Sequence, residues 1–421
     1  MNIIQQAHNF VQRLLNPDDP RRCRHCRYRM TKKNGTRPIK SNIDLDGPHP
    51  KRHQNWWCYR CKRGYYVEDP NRAKWARYTR PVQRKSLDMY FYLEGSLRKV
   101  AVWIRSDING EERALIWDPG RRVSPEGKEK TRLHHTTIWR WKEKLGRKAL
   151  TKEFKGAWQR LLGFSGGLVA DSTRISVRGA KESVHVICDG VSGVVMRFQR
   201  LTEETEPVIR GQFRAVLARW GLKVEQVKVL VSDGAAVYGR IVNWFLQQAR
   251  WQRSLFHLWR NVLPDILCWG EEAGEEAQKE FIAGLREVWG AEDLKDGQEK
   301  LKRFEGHWGR EGELESVLEL VRSTLQAALV HTEGMVEGIG RTSNVAERFF
   351  RKNKGRVKRM GCFGSEEGCD HFNAAWEVYI NFESHQMRKE RKKKYRHPGL
   401  CPLEAGGVHL EGMTWLDALE V

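Results

Sequence analysis

The run GGLVADSTRISV, residues 166–177, begins the part of the sequence with the clearest strand pattern. It is rich in β-branched residues, which favour extended backbone, and it holds a single acid, Asp171, at its middle. Two more strand-like runs follow, SVHVICDG (183–190) and SGVVMRFQRL (192–201), joined by a turn. Asp189 lies in an Asp-Gly pair in that turn, a setting that predicts a structural role. Three consecutive strands are therefore expected here.

The order of the elements after the third strand indicates the fold. An amphipathic helical pattern covers about residues 205–220, and the apolar run VKVLVSD (227–233) ends in Asp233. Another helix leads into the short run RSLFHL (253–258), which we interpret as a fifth strand. Strand–strand–strand–helix–strand–helix–strand is the order of an RNase H-like mixed sheet, an α/β fold. The first and fourth strands of that sheet are neighbours, so Asp171 and Asp233 are expected to lie close together.

The remaining sequence suggests how this sheet domain is divided. Residues 261–340 are helical by pattern, with acids, glycines and large apolar residues, and they contain no convincing strand, which predicts an all-helical insertion. The sheet domain is then expected in two parts, residues 160–260 and 341–386. Residues 387–421 contain the run RKERKKKYRH and are interpreted as a basic C-terminal tail, which would add salt-sensitive affinity for a polyanion.

Charge is distributed unevenly over the chain. The 421 residues include 75 Lys and Arg against 53 Asp and Glu, a net charge of +22. Residues 21–160 and 341–396 are rich in bases, whereas residues 271–320 carry more acids than bases. A merely soluble basic surface would explain the total but not this segregation. Patches of one sign predict a polyanionic partner, most simply double-stranded DNA.

Cysteine usage and hydrophobicity indicate the compartment. Four of the nine cysteines are paired as Cys-x-x-Cys and five are scattered, which fits a reducing environment rather than a disulfide framework. Residues 1–20 begin with MNIIQQAHNFVQRLL, an amphipathic helical pattern without the continuous apolar core of a signal peptide. No apolar run is long enough to span a bilayer. We therefore expect an intracellular, cytoplasmic protein that is associated with the nucleoid and not with a membrane.

Two Cys-x-x-Cys pairs predict a zinc ribbon over residues 21–70. The four cysteines are Cys23, Cys26, Cys58 and Cys61. Each pair supplies two thiolates from a tight turn, and two such turns form a tetrahedral sulfur cage for a structural Zn²⁺. His25 or His53 could replace one ligand. Aromatic and basic residues alternate around the second pair, so the ribbon either is a structural clip only or also presents bases to phosphates.

Residues 80–150 carry the pattern of a helix-turn-helix domain. SLRKVAVWI (96–104) and HHTTIWRWKEKLG (134–146) are helical by pattern and are separated by a polar insert. Apolar residues at helical spacing in the second helix predict a buried stripe, which leaves hydroxyl and basic side chains outward for the major groove of DNA. The predicted DNA-binding residues of this helix are Thr137, Arg140 and Lys142. A plain helical hairpin is the alternative interpretation.

The stretch TSNVAERFFRKNKGRVKRMGCF, residues 342–363, separates into two faces when it is considered as a helix. The polar face carries Asn344, Glu347, Arg351 and Lys354. The apolar face carries Ala346, Phe349, Phe350 and Val357. A solvated ion-pair stripe would have the same pattern. A single acid among bases also suits a metal ligand beside a phosphate-binding surface.

Three acids from different elements can share one metal site. Asp171, Asp233 and Glu347 are expected to hold two Mg²⁺ or Mn²⁺ ions per active site, roughly 4 Å apart, which activate the attacking oxygen and stabilise the leaving oxygen of a phosphodiester. Bases one and two turns beyond Glu347 could bind the DNA backbone. The predicted DNA-binding residues of this helix are Asn344, Arg351 and Lys354. Composition alone does not distinguish these three acids among 53.

Four blocks resemble those of DDE transposases of the Mutator-like, bacterial insertion-sequence type. The blocks are VADSTRISVRG, VLVSDGAAVYGR, WQRSLFHLWRNVL and RTSNVAERFFRKNKGRVKRMGCF, in the family's order within about residues 165–385. In that family a Thr-x-Asn-x-x-Glu segment carries the last catalytic acid, and Thr342, Asn344 and Glu347 match it. The resemblance implies that the three acids named above are catalytic and use two divalent metal ions in an RNase H-like fold.

The third block departs from the family's Cys-x-x-His signature, because it contains Ser254 and His257. His257 is a candidate catalytic residue that would position the scissile phosphate, unless it packs in the core. The resemblance implies a DNA transposase that acts on terminal inverted repeats and target DNA as a homodimer or larger assembly. A tryptophan of the insertion is a candidate for stacking on an unpaired base. A catalytically inactive DNA-binding regulator and a structure-selective nuclease are the alternatives. A zinc hydrolase is disfavoured, because four thiolates leave zinc no open position.

Overall fold

The computed structural model describes most of the chain and divides it into two compact units, Met1–Trp141 and Lys142–Val421. The described residues are 23, 25–26, 31–38, 43–45, 47–48, 52–66, 78–92, 96–109, 133–150, 163–384 and 399–419. The predicted helix over residues 1–20 and the basic run at 388–397 lie outside the described residues.

The first unit combines small antiparallel sheets with helices. Its strands are β1 (Thr31–Pro38), β2 (Ile43–Asp44), β3 (Gly47–Pro48), β4 (Arg52–Cys58) and β5 (Gly64–Tyr66). β4 lies between β1 and β5, and both pairings are antiparallel. The helices are α1 (Arg80–Tyr92), α2 (Leu97–Asn109) and α3 (His135–Leu150), of which the last continues into the second unit. α2 and α3 lie where the two helices of the helix-turn-helix are predicted, and their DNA-binding role stays a prediction.

The second unit is built on a mixed sheet. Its strands are β6 (Gly167–Val177), β7 (Ala180–Asp189), β8 (Val195–Leu201), β9 (Val229–Ser232) and β10 (Arg250–Arg253). The order across the sheet is β10-β9-β6-β7-β8. β6, β7 and β8 are antiparallel neighbours, whereas β9 and β10 run parallel to β6. This is the strand order of the RNase H-like fold, and the predicted fold class is confirmed.

The register of this sheet places two of the predicted catalytic acids side by side. β9 pairs with β6 in parallel, and Val169 lies opposite Val231. Two residues further along are Asp171, within β6, and Asp233, directly after β9. Every residue of β9 is buried, as expected for a central parallel strand.

The fifth strand differs from the prediction. It covers Arg250–Arg253 rather than residues 253–258, and a helix begins at Leu255. In a run of six residues, the spacing of apolar side chains does not distinguish the two-residue period of a strand from the 3.6-residue period of a helix. Leu255 and Leu258 instead begin the buried face of that helix. His257 therefore lies on a helix.

Helices cover the sheet and form the insertion. In chain order they are α4 (Glu206–Trp220), α5 (Ala236–Trp244), α6 (Leu255–Ala273), α7 (Glu275–Trp289), α8 (Leu294–Trp308), α9 (Glu315–Leu329), α10 (Asn344–Met360) and α11 (Glu366–Phe382). α6 to α9 form the insertion and share an apolar core. Trp269, Trp289 and Trp308 are buried in that core and are therefore not available to stack on a base. Trp259 packs against the same core and is only partly buried, so stacking by a tryptophan of the insertion stays a prediction. No described helix is both long enough and apolar enough to cross a bilayer.

Residues 399–419 are structured, although they lie in the region interpreted from the sequence as a basic tail. The two short helices are α12 (Pro402–Ala405) and α13 (Trp415–Ala418). Both pack against α11, and the rings of Trp415 and Tyr379 meet edge to face with centroids 5.4 Å apart. Leu403 is fully buried. The tail predicted over residues 387–421 is therefore corrected for residues 399–419, whose scattered apolar side chains cover α11.

Candidate active site

Asp171 lies on β6 with its side chain almost completely buried. The residue is 5% exposed, and the backbone N–H of Ser172 donates a hydrogen bond to Oδ1 at 2.8 Å. The pKa of Asp171 is raised to about 7, chiefly by burial and also by the nearby carboxylates of Asp233 and Glu347. No Lys or Arg of the described residues lies within 4.0 Å of this carboxylate. A buried acid without a close counter-charge is suited to bind a cation.

Asp233 follows β9 directly and begins the turn into α5. Its Oδ1 atom accepts a hydrogen bond from the backbone N–H of Ala235 at 3.0 Å, a local bond by which Asp commonly holds a turn. The side chain is half-buried. The turn therefore fixes this carboxylate close enough to Asp171 to raise the pKa of that residue.

Glu347 lies in the first turn of α10 and is supported by two serines. Ser343 Oγ donates to Glu347 Oε1 at 3.3 Å, and the Ser343 N–H donates to Ser254 Oγ at 3.1 Å. The backbone N–H of Leu255 also donates to the carbonyl of Arg341 at 3.0 Å. Ser254 occupies the position of the cysteine in the Cys-x-x-His signature. Here its hydroxyl fastens the segment from which the acidic helix begins.

The far end of α10 is tied to the strand that carries the first acid. The N–H of Phe363 donates to the carbonyl of Ser176 at 3.0 Å. Between the two ends, Phe349 packs edge to face against Phe198 of β8, with ring centroids 4.6 Å apart. The predicted apolar face of the helix is buried. These contacts fix the position of Glu347 relative to β6.

His257, on the first turn of α6, lies between two of the acids. Its Nε2 atom is 3.9 Å from Asp171 Oδ2 and 3.8 Å from Glu347 Oε1. The same atom is buried and has no hydrogen-bond partner among the described residues. A histidine packed only as a core residue would not direct an unsatisfied nitrogen toward two carboxylates. The geometry favours the site over the core interpretation.

The three acids and His257 do not form a closed metal cage. Among the described residues, only the four cysteines bring three or more ligand atoms within 4.8 Å of one another. Mg²⁺ keeps several waters and is usually bound by one or two carboxylates together with substrate phosphate, so it does not require a compact cage. Oxygen ligands around a buried acid without a close counter-charge fit a divalent cation of this kind.

A family match covers the whole of this site. Residues 148–376, more than half of the chain, match the family described as Transposase, Mutator family. The chain belongs to the Mutator family of transposases. The resemblance seen in the four sequence blocks is confirmed.

One solved assembly is also similar to this Mutator-family protein. The crystal structure of a pre-cleavage Mos1 transpososome matches at 14% identity with a TM-score of 0.17, over 44% of this chain and 61% of that chain. The chain therefore spans less than two thirds of the solved chain that it matches. No curated protein matches the sequence. The strand order β10-β9-β6-β7-β8 identifies the fold.

The predicted DNA-binding residues of the Mutator-family protein are mostly accessible. Asn344, Arg351 and Lys354 on α10 are exposed, as is Arg140 on α3, and Thr137 is half-buried. Lys354 lies near enough to Asp171 to lower the pKa of that residue, so its charge is close to the acids. DNA contact by these residues stays a prediction.

Lys142 departs from the prediction that it faces outward. It is 7% exposed, and its Nζ atom lies 2.6 Å from Oε1 of Glu143. Glu143 also pairs with Nδ1 of His371 on α11 at 2.6 Å. Gly146 packs so closely against the backbone of His371 that a Cβ would collide with it. Because the C-terminal half of α3 packs against α11, Lys142 is removed from the candidate DNA contacts.

The four predicted zinc ligands lie together in the first unit. The Sγ atoms of Cys23 and Cys61 are 3.5 Å apart, and those of Cys26 and Cys58 are 3.6 Å apart. Four thiolates at the usual zinc–sulfur distance would lie about 3.8 Å from one another, so the cluster has the size of a zinc site. Burial raises the pKa of Cys58, but backbone hydrogen bonds from the Cys61 turn outweigh it and lower that pKa to about 7. Burial and hydrogen bonds from the neighbouring cysteines raise the pKa of Cys61 to about 12, so the four thiols share their charge unequally. A histidine ligand is not required.

Asp189 has the structural surroundings expected of it. It is completely buried, and its carboxylate accepts hydrogen bonds from the N–H and hydroxyl of both Ser165 and Ser192 at 2.7 to 3.0 Å, and from the N–H of Val191 at 3.1 Å. The carboxylate therefore ties the turn after β7 to the segment before β6. Unlike Asp171, this buried acid is satisfied by donors.

Two residues near the site were not predicted from the sequence. Ser343 supports Glu347, and the available signal was a serine directly before a helix, the preferred N-cap type. Arg253 ends β10, and its guanidinium packs against Gly234 beside Asp233. The available signal for Arg253 was a base directly before the Ser-x-x-His segment.

Proposed function

We propose that the chain is a DNA transposase that binds the ends of its element, cleaves a phosphodiester at each end and joins the freed 3′-hydroxyl to target DNA. Family membership supports the general activity. The observation that supports the chemistry is the cluster around Asp171, a buried acid whose pKa is raised to about 7 with Asp233 and Glu347 nearby. Such perturbed acids are typical of functional sites.

The three acids would divide the binding of two divalent ions, Mg²⁺ or Mn²⁺. Asp171 lies within charge range of both other acids and would contribute to both ions, while Asp233 and Glu347 would each complete one. When bound, such ions activate the attacking oxygen and stabilise the leaving oxygen of the phosphodiester. The sheet register and the two ends of α10 hold the acids in place, so little reorganisation is required.

His257 would act on the substrate side of the same cluster. Its Nε2 atom faces Asp171 and Glu347 at 3.8 to 3.9 Å without a hydrogen-bond partner among the described residues. From there it can donate a hydrogen bond to either carboxylate or to the scissile phosphate. We assign it the positioning of the phosphate.

DNA would be bound by basic surfaces on both units. On α10, Arg351 and Lys354 are exposed on the same helix as Glu347, where they would bind the backbone near the cut. On α3, Thr137 and Arg140 would contact the terminal inverted repeat, and a Zn²⁺ in the cysteine cluster would stabilise the ribbon. Two ends must be processed together, so a homodimer or larger assembly on DNA is expected inside the cell.

The test is cleavage and strand transfer on a duplex made from the inverted repeat that flanks the gene. Wild type with Mg²⁺ or Mn²⁺ is expected to nick the repeat end and to join a pre-cut end to a second duplex. Glu347→Gln is expected to bind the duplex normally and to lose at least about 100-fold in rate, the effect of removing one preorganised electrostatic partner. Glu319→Gln, an exposed acid on α9, is the matched control and is expected to retain full activity.

The products separate the transposase from its alternatives. Binding without nicking by both wild type and Glu347→Gln would identify a DNA-binding regulator. Nicking without any joining of a pre-cut end would identify a nuclease. Equal rates in wild type and Glu347→Gln would refute the assignment of the acid.

A further inference from the structure

Arg253 lies at the edge of the acid cluster and has no part in the roles assigned above. It is the last residue of β10 and pairs in register with Ser232, which directly precedes Asp233. Arg253 is half-buried and feels the charge of Asp233. A guanidinium therefore lies beside one of the three proposed metal ligands.

The neighbours of Arg253 restrict where its guanidinium can lie. It packs against Gly234, where an added Cβ would collide with a terminal guanidinium nitrogen. The guanidinium carbon also lies 6.0 Å from the ring centre of Trp251, within the range of a cation–π contact. The Trp251 ring is itself fixed, because its indole N–H donates to Ser232 Oγ at 2.9 Å.

The hydrogen-bonding capacity of Arg253 is largely unused by the protein. Its Nε atom is buried and has no partner among the described residues. No carboxylate of the described chain lies within ion-pair distance of the guanidinium, and Asp233 acts on it only at longer range. An unsatisfied buried donor destabilises a fold, so its presence beside an active site indicates an absent acceptor. The planar guanidinium fork matches two oxygens of a phosphate.

We propose that Arg253 binds a non-bridging oxygen of the phosphate that is cut. The inference rests on the proposed function, because the acids define where that phosphate lies. Hydrogen bonds from a guanidinium on the Asp233 side would orient the phosphate for in-line attack and offset its charge as the bond breaks. This contact is distinct from those of Arg351 and Lys354, which lie on α10.

A purely structural arginine would behave differently. If Arg253 served only to offset the charge of Asp233, a lysine would replace it with little effect, since both side chains carry one positive charge. A phosphate contact depends on the fork, which lysine does not have. The conservative substitution therefore separates the two roles.

The test is a double-mutant cycle between protein and DNA. The duplex carries the inverted repeat that flanks the gene, with either a natural phosphate or an uncharged methylphosphonate at the junction of repeat and flank. Affinity is measured without divalent metal ions, so that no cutting occurs. The variants are Arg253→Ala, Arg253→Lys and Gly234→Ala, which displaces the guanidinium without removing its charge. Arg250→Ala is the control, an exposed base at the other end of β10 that pairs with Glu333 at 3.6 Å.

Arg253→Ala is expected to weaken binding of the natural duplex by about 10- to 100-fold, the range for charged hydrogen bonds. It should leave binding of the methylphosphonate duplex unchanged, and Arg253→Lys and Gly234→Ala should show the same selectivity with smaller losses. Arg250→Ala should affect both duplexes alike. Equal weakening of both duplexes by Arg253→Ala overturns the proposal. If Arg253→Ala does not fold, Arg253→Lys and Gly234→Ala decide the matter by the same comparison.

Cleavage with Mg²⁺ distinguishes failure of this contact from failure of the proposed function. If the binding cycle shows selective coupling of Arg253 to the junction phosphate but wild type never cuts DNA, the contact is supported and the proposed transposase activity is refuted. If wild type and Arg253→Lys both cut DNA with the same kcat and KM, the phosphate contact is overturned and the proposed function is not affected. We expect free guanidinium to restore part of the cutting rate of Arg253→Ala and to have no such effect on Arg250→Ala.

Discussion

Two buried aspartates on neighbouring strands show how a single residue can be assigned to structure or to function. Asp189 accepts hydrogen bonds from both Ser165 and Ser192, so its charge is satisfied within the fold. Asp171 accepts one backbone hydrogen bond, and its pKa is raised to about 7 chiefly by burial and also by two further acids nearby. A fold that keeps such an acid tolerates a local loss of stability, which is a common property of active sites.

Asp171→Asn is therefore expected to melt at a higher temperature than wild type at pH 8, without added Mg²⁺ or Mn²⁺. The carboxyl has a pKa of about 7 in the folded chain and about 4 when unfolded, so its ionisation destabilises the fold as pH rises from about 4 to 7. The amide avoids this penalty, which is on the order of 2 to 4 kcal/mol at pH 8. The advantage should shrink as the pH is lowered toward 5, as thermal scans at several pH values would show.

The matched control for this prediction is Asp189→Asn. An amide cannot accept all the hydrogen bonds that the two oxygens of Asp189 receive, so this variant should melt lower than wild type at every pH. Added Mg²⁺ should raise the melting temperature of wild type more than that of Asp171→Asn. Identical melting of wild type and Asp171→Asn at pH 8 would show that the charge of Asp171 is compensated.

At the scale of elements, α10 joins the proposed chemistry to the proposed DNA surface. A hydrogen bond between Ser343 and Ser254 fixes its N-terminal end. Beyond its C-terminal end, the backbone of Phe363 forms a hydrogen bond with β6. Glu347 in the first turn and exposed bases further along therefore share one rigid support. A single helix can then fix the distance between the cut phosphate and the next backbone contacts.

The proposed zinc ribbon is the element whose stability is expected to depend most on a ligand. Its described core consists of Cys23, Cys58 and Tyr65 with a few partly buried neighbours, so metal–sulfur bonds are expected to supply much of its stability. Wild type is expected to bind one zinc ion, and Cys58→Ser is expected to lose that ion and to bind the repeat duplex more weakly. Metal analysis of the purified proteins and a binding titration would measure both effects.

Cys268→Ser is the control for the ribbon, because Cys268 is exposed and lies outside the cluster. It should retain zinc and DNA affinity. Zinc retained in full by Cys58→Ser would contradict the four-cysteine site. Loss of zinc with unchanged DNA affinity would instead identify the ribbon as a structural clip only.

At the scale of the whole chain, the insertion is firmly attached to the sheet but differs from it in charge. Gln252 on β10 donates to the carbonyl of Ala328 at 2.8 Å and accepts from the N–H of His331 at 2.7 Å, which fastens the returning segment. Residues 271–320 carry more acids than bases in a chain of net charge +22. DNA is therefore expected to follow α10 rather than the acidic exposed surface of the insertion.

The sequence predicted the sheet well, because strands depend on local patterns, whereas the catalytic roles of Asp171, Asp233 and Glu347 stay predictions. The β-branched runs fixed the strand order, and helical spacing placed Glu347 on the polar face of α10. Lys142 was misplaced because its burial depends on a helix more than 200 residues away, a contact that spacing within α3 cannot reveal. Arg253 was missed for the same reason, since only the fold brings its guanidinium against Gly234.

The most direct test of a shared metal site is anomalous scattering from Mn²⁺ in crystals of Glu347→Gln and wild type bound to the repeat duplex. In wild type we expect two Mn²⁺ peaks beside Asp171, one next to Asp233 and one next to Glu347. The peak next to residue 347 should weaken or vanish in Glu347→Gln. Mn²⁺ found elsewhere, with the three acids bound to no common ion, would contradict the assignment.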